Sequence, residues 1–223
     1  MFVFGFFLFL IPMGRSSLKE PRQKEIVKAF YKLAKKEGLE NASFAKTAEY
    51  IGITPGLIIH YFETKEHLIY SLVEYILDKY LLIFNVSSPS GQDEPLDDLL
   101  RAIDNIFSHK WNTLFDDGVS YSCYALSFRN KTIMRKYKLL LDTLRKNLEN
   151  LIVRCVEDGS LKVEDPAATA DIIFILADGA YYYLSLTDDK EEYITKLTQY
   201  KKRALNHLNL PAKIVNAAIG SGK

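Results

Sequence analysis

Between residues 131 and 157 the side chains Ile133, Tyr137, Leu140, Leu144, Leu148, Leu151, Ile152 and Cys155 return every three or four positions. So long a run at that spacing keeps one apolar face only on an α-helix; an extended strand would scatter the same residues over both sides. The pattern recurs along the chain. Residues 96–115 put Leu96, Leu99, Leu100, Ile103, Ile106, Phe107, Leu114 and Phe115 on one face, and Pro21 to about Lys36 does the same with Ile26, Val27, Phe30, Leu33 and Ala34. Val119–Phe128 reads as a shorter helix, and about Lys190 to Leu208 repeats Tyr193, Leu197, Tyr200, Ala204 and Leu208 before Pro211 breaks it. No segment alternates at period two for long enough to make a sheet, and no repeat of 20 to 50 residues is present. The expected fold is all-α.

Hydrophobic residues at 48% and charged residues at 26% exclude a disordered or fibrous chain. A net charge of +1 decides little, because a nucleic-acid surface is a local patch. That patch is visible: residues 14–36 hold eight Lys and Arg against two Glu, a net +6. Cys123 and Cys155 have no CxxC spacing and no histidine at ligand spacing, so a zinc site and a disulfide framework are not expected, and both read as buried thiols. The opening MFVFGFFLFLIP is too short to span a bilayer and has no preceding Lys or Arg; the expectation is that Met13 is the true start, the alternative a short unconventional export or anchoring signal. Stable membrane association is not expected.

The N-terminal third is punctuated by helix signals. Gly38 ends the basic helix, Ser43 caps Phe44–Ile51 with Phe44, Thr47, Ala48 and Ile51 inward, and Gly52 stops that segment. Thr54 then reads as an N-cap with Pro55 at the first helical position, opening a helix to about Tyr61. Thr64 caps a long helix from Lys65 to about Phe84 carrying Leu68, Leu72, Tyr75, Ile76 and Lys79 or Tyr80. Three short helices with a Gly-containing turn between the second and third make a helix-turn-helix. Thr54, Pro55 and Gly56 are small enough for the third helix to approach a phosphate or base edge, while His60, Tyr61 and Lys65 can reach the phosphate chain. Singly, each feature has a plainer reading as a cap or a solvated charge; their joint spacing carries the inference.

The string AEYIGITPGLIIHYFETKEHL, within residues 22–68, resembles the DNA-binding domain of the tetracycline-repressor (TetR) family. The matching positions are Ala48, Gly52, Ile53, Thr54 and Gly56, then His60, Tyr61 and Phe62, then Thr64, Lys65 and Leu68. The resemblance implies that Thr54, Pro55, Gly56, Leu57 and Ile59 face the DNA groove, that Ser43, His60, Tyr61 and Lys65 hold its backbone, and that Ile58 and Phe62 are core. Ile59 departs from the family's usual tyrosine, which puts one phosphate contact in doubt. Beyond residue 84 the likeness is one of length and helicity, with six further helices expected and five placed.

The organisation expected is an extension and basic arm at 1–20, the helix-turn-helix domain at 21–66, a linking helix at 65–84, a helical ligand-binding and dimerisation domain at 67–210, and a tail at 211–223, with a Ser/Pro/Gly-rich boundary at 85–95. The run DIIFILADGAYYYLSL, opened by Asp165 and Pro166, is apolar nearly all round and must be covered on every side. Packing it and the last helix against a second copy predicts a homodimer on a near-palindromic operator in double-stranded DNA. Trp111, Phe115, Tyr121, Tyr124, Phe128, Tyr137, Phe174 and Tyr181 could line a pocket for a small-molecule effector or be plain core, and His109 could be a polar group in such a cavity or a satisfied core histidine. No GxSxG, HExxH, P-loop or GxGxxG motif occurs, so neither an enzyme nor a cofactor is expected. The expected protein is a cytoplasmic, ligand-responsive repressor. Its rivals are a chromosome-associated or protein-binding dimer of the same fold and a membrane-tethered sensor.

Overall fold

The computed structural model describes residues 19–84, 94–108 and 116–220. The apolar opening stretch, most of the 85–95 boundary, and Trp111, Phe115 and His109 fall outside them. The described residues form ten α-helices and no strand. They are α1 (Lys19–Glu37), α2 (Phe44–Tyr50), α3 (Pro55–Phe62), α4 (Lys65–Leu81, followed by a 3-10 turn at Leu82–Phe84), α5 (Pro95–Ile106), α6 (Asp117–Leu126), α7 (Lys131–Glu157), α8 (Pro166–Leu184), α9 (Lys190–Asn206) and α10 (Ala212–Gly220). The chain divides into two compact units between Leu72 and Val73, within α4.

In the first unit α1, α2 and α3 pack against one another. Ile26, Phe30, Ala48, Ile58, Phe62 and Leu68 are fully buried there, each large apolar side chain contributing roughly 1.5–3 kcal/mol. Phe44 and Ile51, expected inward, are half-buried, because the short α2 turns mainly Thr47 and Ala48 to the core. Gly38 ends α1 at φ +85, its N–H donating to the Ala34 carbonyl at 2.9 Å. Gly52 makes the helix-turn-helix turn at φ +67, a conformation a side chain would strain.

In the second unit α7 packs on α5, α6 and α8, and α9 packs on α5, α8 and α10. Leu99, Ile103, Leu148, Ile152, Ile173 and Leu205 are central to the core. Four helices start on side-chain caps: Asp116 accepts from Val119 N–H, Asn130 from Thr132 and Ile133 N–H, Asp165 from Ala168 N–H and Asp189 from Glu192 N–H. The segment expected as a tail carries α10 instead, with Val215 and Ala218 buried three residues apart. It is held by Lys201, itself only 6% exposed, whose ammonium donates to the Ala218 carbonyl at 2.5 Å and lies 2.6 Å from Asp104 Oδ1. The buried Asp98 of α5 accepts from Arg101 at 2.7 Å and lies 3.2 Å from Arg154 of α7.

Among the described residues no helix is long and apolar enough to cross a membrane, and no group of three or more His, Cys, Asp or Glu could hold a metal ion. Burial pushes the Cys123 thiol up to about 12 and the Cys155 thiol up to about 11, so both stay protonated near neutral pH.

Candidate functional site

Two contacts fix α3 from within. Ile58 and Phe62, one turn apart, are fully buried, and Gln23 of α1 donates to the Tyr61 carbonyl at 3.4 Å. That anchoring sets which residues face out. Thr54, Pro55, Gly56, Ile59 and His60 are exposed, while Leu57 and Tyr61 are half-buried. Of the expected groove-facing residues, Thr54, Pro55, Gly56 and Ile59 are thus accessible and Leu57 is partly so.

The chemistry of the amino end of α3 suits an anionic or base-edge partner. Thr54 has N-cap backbone geometry (φ −81, ψ 143), yet its hydroxyl makes no capping bond. The first-turn N–H groups of a helix lack intrahelical acceptors and carry the positive end of its dipole. A Cβ built on Gly56 would meet no atom within 4 Å, and its φ is not positive. The fold itself has no need of glycine there. Ile59, 49% exposed, offers an apolar surface and no hydrogen bond.

The backbone-holding set is partly engaged within the chain. Ser43 Oγ accepts from Lys46 N–H at 3.3 Å, which leaves its O–H to donate elsewhere. Lys65 Nζ donates to the Glu40 carbonyl at 3.2 Å, positioning an ammonium that has two further protons. The His60 and Tyr61 rings meet edge-on at 5.2 Å. Along α1, Lys24, Lys28, Lys32 and Lys36 recur every fourth residue and are exposed. Lys46 pairs with Glu37 at 2.6 Å, and this contact holds the Glu37 carboxyl below its usual range. The Gln23 brace was not anticipated from sequence: a polar residue on a basic helix gives no sign of which distant carbonyl it meets.

In the second unit the aromatics separate into groups. Tyr124, Phe128 and Tyr137 line one open groove of about 850 Å³ together with Met134 and Arg145. Tyr121 is exposed and meets Tyr182 edge-on. Phe174 is buried beneath the Arg145 guanidinium, 4.4 Å from its ring centre, and Arg145 also donates to Asp171 at 2.9 Å. The Tyr181 hydroxyl donates to the Ile106 carbonyl at 2.7 Å with the Ser108 carbonyl 3.2 Å away, so it is a satisfied core group.

Residues 26–72 match the family profile described as bacterial regulatory proteins of the tetR family, and residues 94–210, more than half of the chain, match that of a tetracyclin repressor-like C-terminal domain. No curated protein matches the chain significantly. A TetR transcription regulator from Haloarcula marismortui shares the fold with a TM-score of 0.72 at 16% identity, over 85% of this chain and 97% of that one. Reduced NemR from E. coli does so with a TM-score of 0.67 at 15% identity, over 85% and 99%. RolR in complex with resorcinol gives 0.55 at 15%, over 92% and 96%. With both family profiles matched in order and the outward-facing α3 of a helix-turn-helix inside the first of them, the chain belongs to the tetracycline-repressor (TetR) family of bacterial transcription regulators.

Proposed function

We propose that this regulator is a homodimeric repressor that releases a near-palindromic operator when a small molecule binds its C-terminal region. Thr54, Pro55, Gly56, Leu57 and Ile59 enter the major groove, and Ser43, His60, Tyr61 and Lys65 hold the phosphate chain. Residues 21–66 read DNA, and residues 67–210 take the effector and the second subunit. The observation that carries the DNA reading is Gly56: a helical glycine that no contact among the described residues requires, on the exposed end of α3. Close backbone approach to an outside partner supplies the missing reason.

The dimer reading is supported by α8. Ile172, Ile175, Gly179 and Tyr182 of α8, with Leu186 in the turn just after it, recur at three- and four-residue spacing and are all exposed, Leu186 to 80%. Contiguous apolar surface of this kind marks an interaction face, and a two-fold axis makes one face serve both subunits. Two recognition helices then meet successive major grooves about 34–36 Å apart. The RolR complex with resorcinol is a precedent for a small-molecule ligand in a protein of this fold.

The deciding experiment is footprinting of the purified protein on DNA around its own gene. A single protected near-palindrome, with log affinity falling steeply against log salt, is the expected result. Scattered protection, or an affinity indifferent to salt between about 50 and 200 mM, removes the proposal in favour of a non-regulatory DNA- or protein-binding role.

A further inference from the structure

The groove of about 850 Å³ in the second unit is electrically lopsided. Arg129 and Lys131 line one end of it, both exposed, and among the described residues neither has an ion-pair or side-chain hydrogen-bond partner. The other charged residues of its wall are already matched: Lys138 lies 2.7 Å from Asp142, and Arg145 lies 2.9 Å from Asp171. Lys131 and Asp142 are three helical turns apart on α7, about 16 Å along its axis. That is about twice the screening length of about 8 Å in physiological salt, so these carboxylates do not cancel the charge at the Arg129 end. The amino end of α7 adds to it, because the first turn contains no acidic residue and carries the positive pole of the helix.

Beside these two cations the wall is apolar and open. Phe128 is 77% exposed and Met134 48%, and the Tyr124 ring meets Phe128 edge-on at 5.4 Å and Tyr137 at 5.3 Å. Phe128 so placed contributes little to the core, and its burial becomes available only to an occupant of the groove. Such an occupant has two surfaces to satisfy. An uncharged one would desolvate Arg129 and Lys131 without pairing them, and a cation would be repelled. A carboxylate matches the guanidinium fork of Arg129 through two parallel N–H donors, with Lys131 as a point charge beside it. The volume is that of a small-molecule site.

We propose that this groove binds a small aromatic carboxylate, with the carboxylate on Arg129 and Lys131 and the ring on Tyr124, Phe128 and Met134. The proposal names the chemical class of the ligand, and it rests on the ligand-responsive reading above for its effect on the operator. The exposed stripe of α8 offered to a second subunit contains no anion, so that stripe does not complement the two cations.

The test uses the full-length protein and a matched set of probes: 1-naphthoate, neutral 1-naphthylmethanol, cationic 1-naphthylmethylammonium, and hexaglutamate as an anion without a ring. Calorimetric titration reads binding, and fluorescence anisotropy on the footprinted operator reads release. Naphthoate is expected to bind saturably, more weakly as salt rises, with the alcohol and hexaglutamate at least tenfold weaker and the ammonium not binding. Arg129→Gln plus Lys131→Gln is expected to cost naphthoate at least tenfold in affinity and the alcohol nothing, whereas Phe128→Ala weakens both. These side chains are exposed, and the Tm of each ligand-free variant checks its fold. Equal binding of the alcohol or hexaglutamate, preference for the ammonium, or unchanged naphthoate affinity in the double variant overturns the assignment. So does a parent protein that ignores naphthoate while the variants sediment as monomers, which would give the groove to a second copy. Naphthoate that binds as expected without releasing the operator upholds the site and refutes its effector role; absence of operator binding without any compound refutes the repressor reading alone.

Discussion

Replacing Gly56 with alanine separates what the fold wants from what a DNA partner wants. The position is helical, its φ is not positive, and an added Cβ meets nothing within 4 Å. No steric cost opposes the change, so the reduced freedom of the unfolded chain should stabilise the protein by about 0.4–1 kcal/mol. For a chain of this length that corresponds to a Tm rise of about 1–4 °C. If α3 lies amino end first in the major groove, the same methyl stands between backbone and DNA. A loss comparable to one spoiled specific contact, about 1–3 kcal/mol, weakens operator affinity roughly 5- to 150-fold. Scanning fluorimetry and anisotropy titration at one fixed salt concentration read the two effects on the same preparation. Affinity within twofold of the parent protein would refute the close-approach argument, whatever happens to Tm. A lower Tm would show that Gly56 is required by the fold, and the main support for the DNA-facing reading would go.

Lys65→Ala should weaken binding to operator and unrelated DNA alike and reduce the salt slope by about one, since a phosphate contact carries no sequence information; altered sequence preference in the anisotropy titration would instead make it a base reader. Ile175→Glu puts a charge into an exposed apolar stripe and leaves the protomer core untouched; sedimentation should show monomers, and an unchanged dimer would move the interface elsewhere. Lys201→Met removes the buried ammonium shared by Asp104 and the Ala218 carbonyl. Because Asp104 is itself partly exposed, the loss should be about 1–3 kcal/mol, below that of a fully buried pair, with hydrogen exchange rising first in α10. The two thiols set an alkaline limit: they ionise in the unfolded chain near pH 8.5–9 but remain protonated in the fold until about 12 for Cys123 and 11 for Cys155. The unfolded state therefore binds fewer protons in that window, and stability should fall by up to about 1.4 kcal/mol per thiol per pH unit above pH 9. A urea-midpoint series from pH 8 to 10 reads it, with Cys123→Ala plus Cys155→Ala as the flat control.

Local chemistry made much of the N-terminal unit readable. Gly38 and Gly52 stop helices at positive φ, Ser43 caps α2 and Pro55 opens α3, each as its residue type dictates. Periodicity delivered α7 to the residue, because a 27-residue helix with one apolar stripe leaves no rival register. The C-terminal helix was missed since a proline stop at residue 211 looks the same whether the chain ends there or restarts, and α10 is too short to show more than two turns of pattern. The aromatic set was harder still. Tyr137, Phe174 and Tyr181 are indistinguishable as letters, yet one hydroxyl is orphaned, one ring lies under a guanidinium and one hydroxyl is bonded to a carbonyl. Those differences come from partners distant in sequence, which spacing along one helix cannot express.

Two glycines connect the proposed contacts. Gly38, Gly52 and Gly159 sit at positive φ, and a Cβ on Gly118 would approach the capping carboxylate of Asp116 to 3.3 Å, so each has a reason inside the chain. Among the described residues Gly56 and Gly179, and Gly220 at the last position of α10, have none: all are helical and exposed, and none would bring a Cβ within 4 Å of anything, but only the first two stand away from the C-terminal end of a helix. A glycine inside a helix is unfavourable by about 1 kcal/mol relative to alanine, and the cost is sharpest for Gly179 at mid-helix. One stands at the leading end of α3, the other in the middle of the exposed apolar stripe of α8. The same argument applied twice gives two different partners, DNA for Gly56 and a second α8 for Gly179. Gly179→Ala should thus stabilise the isolated protomer while weakening self-association, and its effect on operator binding should vanish once protein concentration restores the dimer. An effect on DNA affinity that persists at saturating dimer would break the assignment of that face to subunit contact.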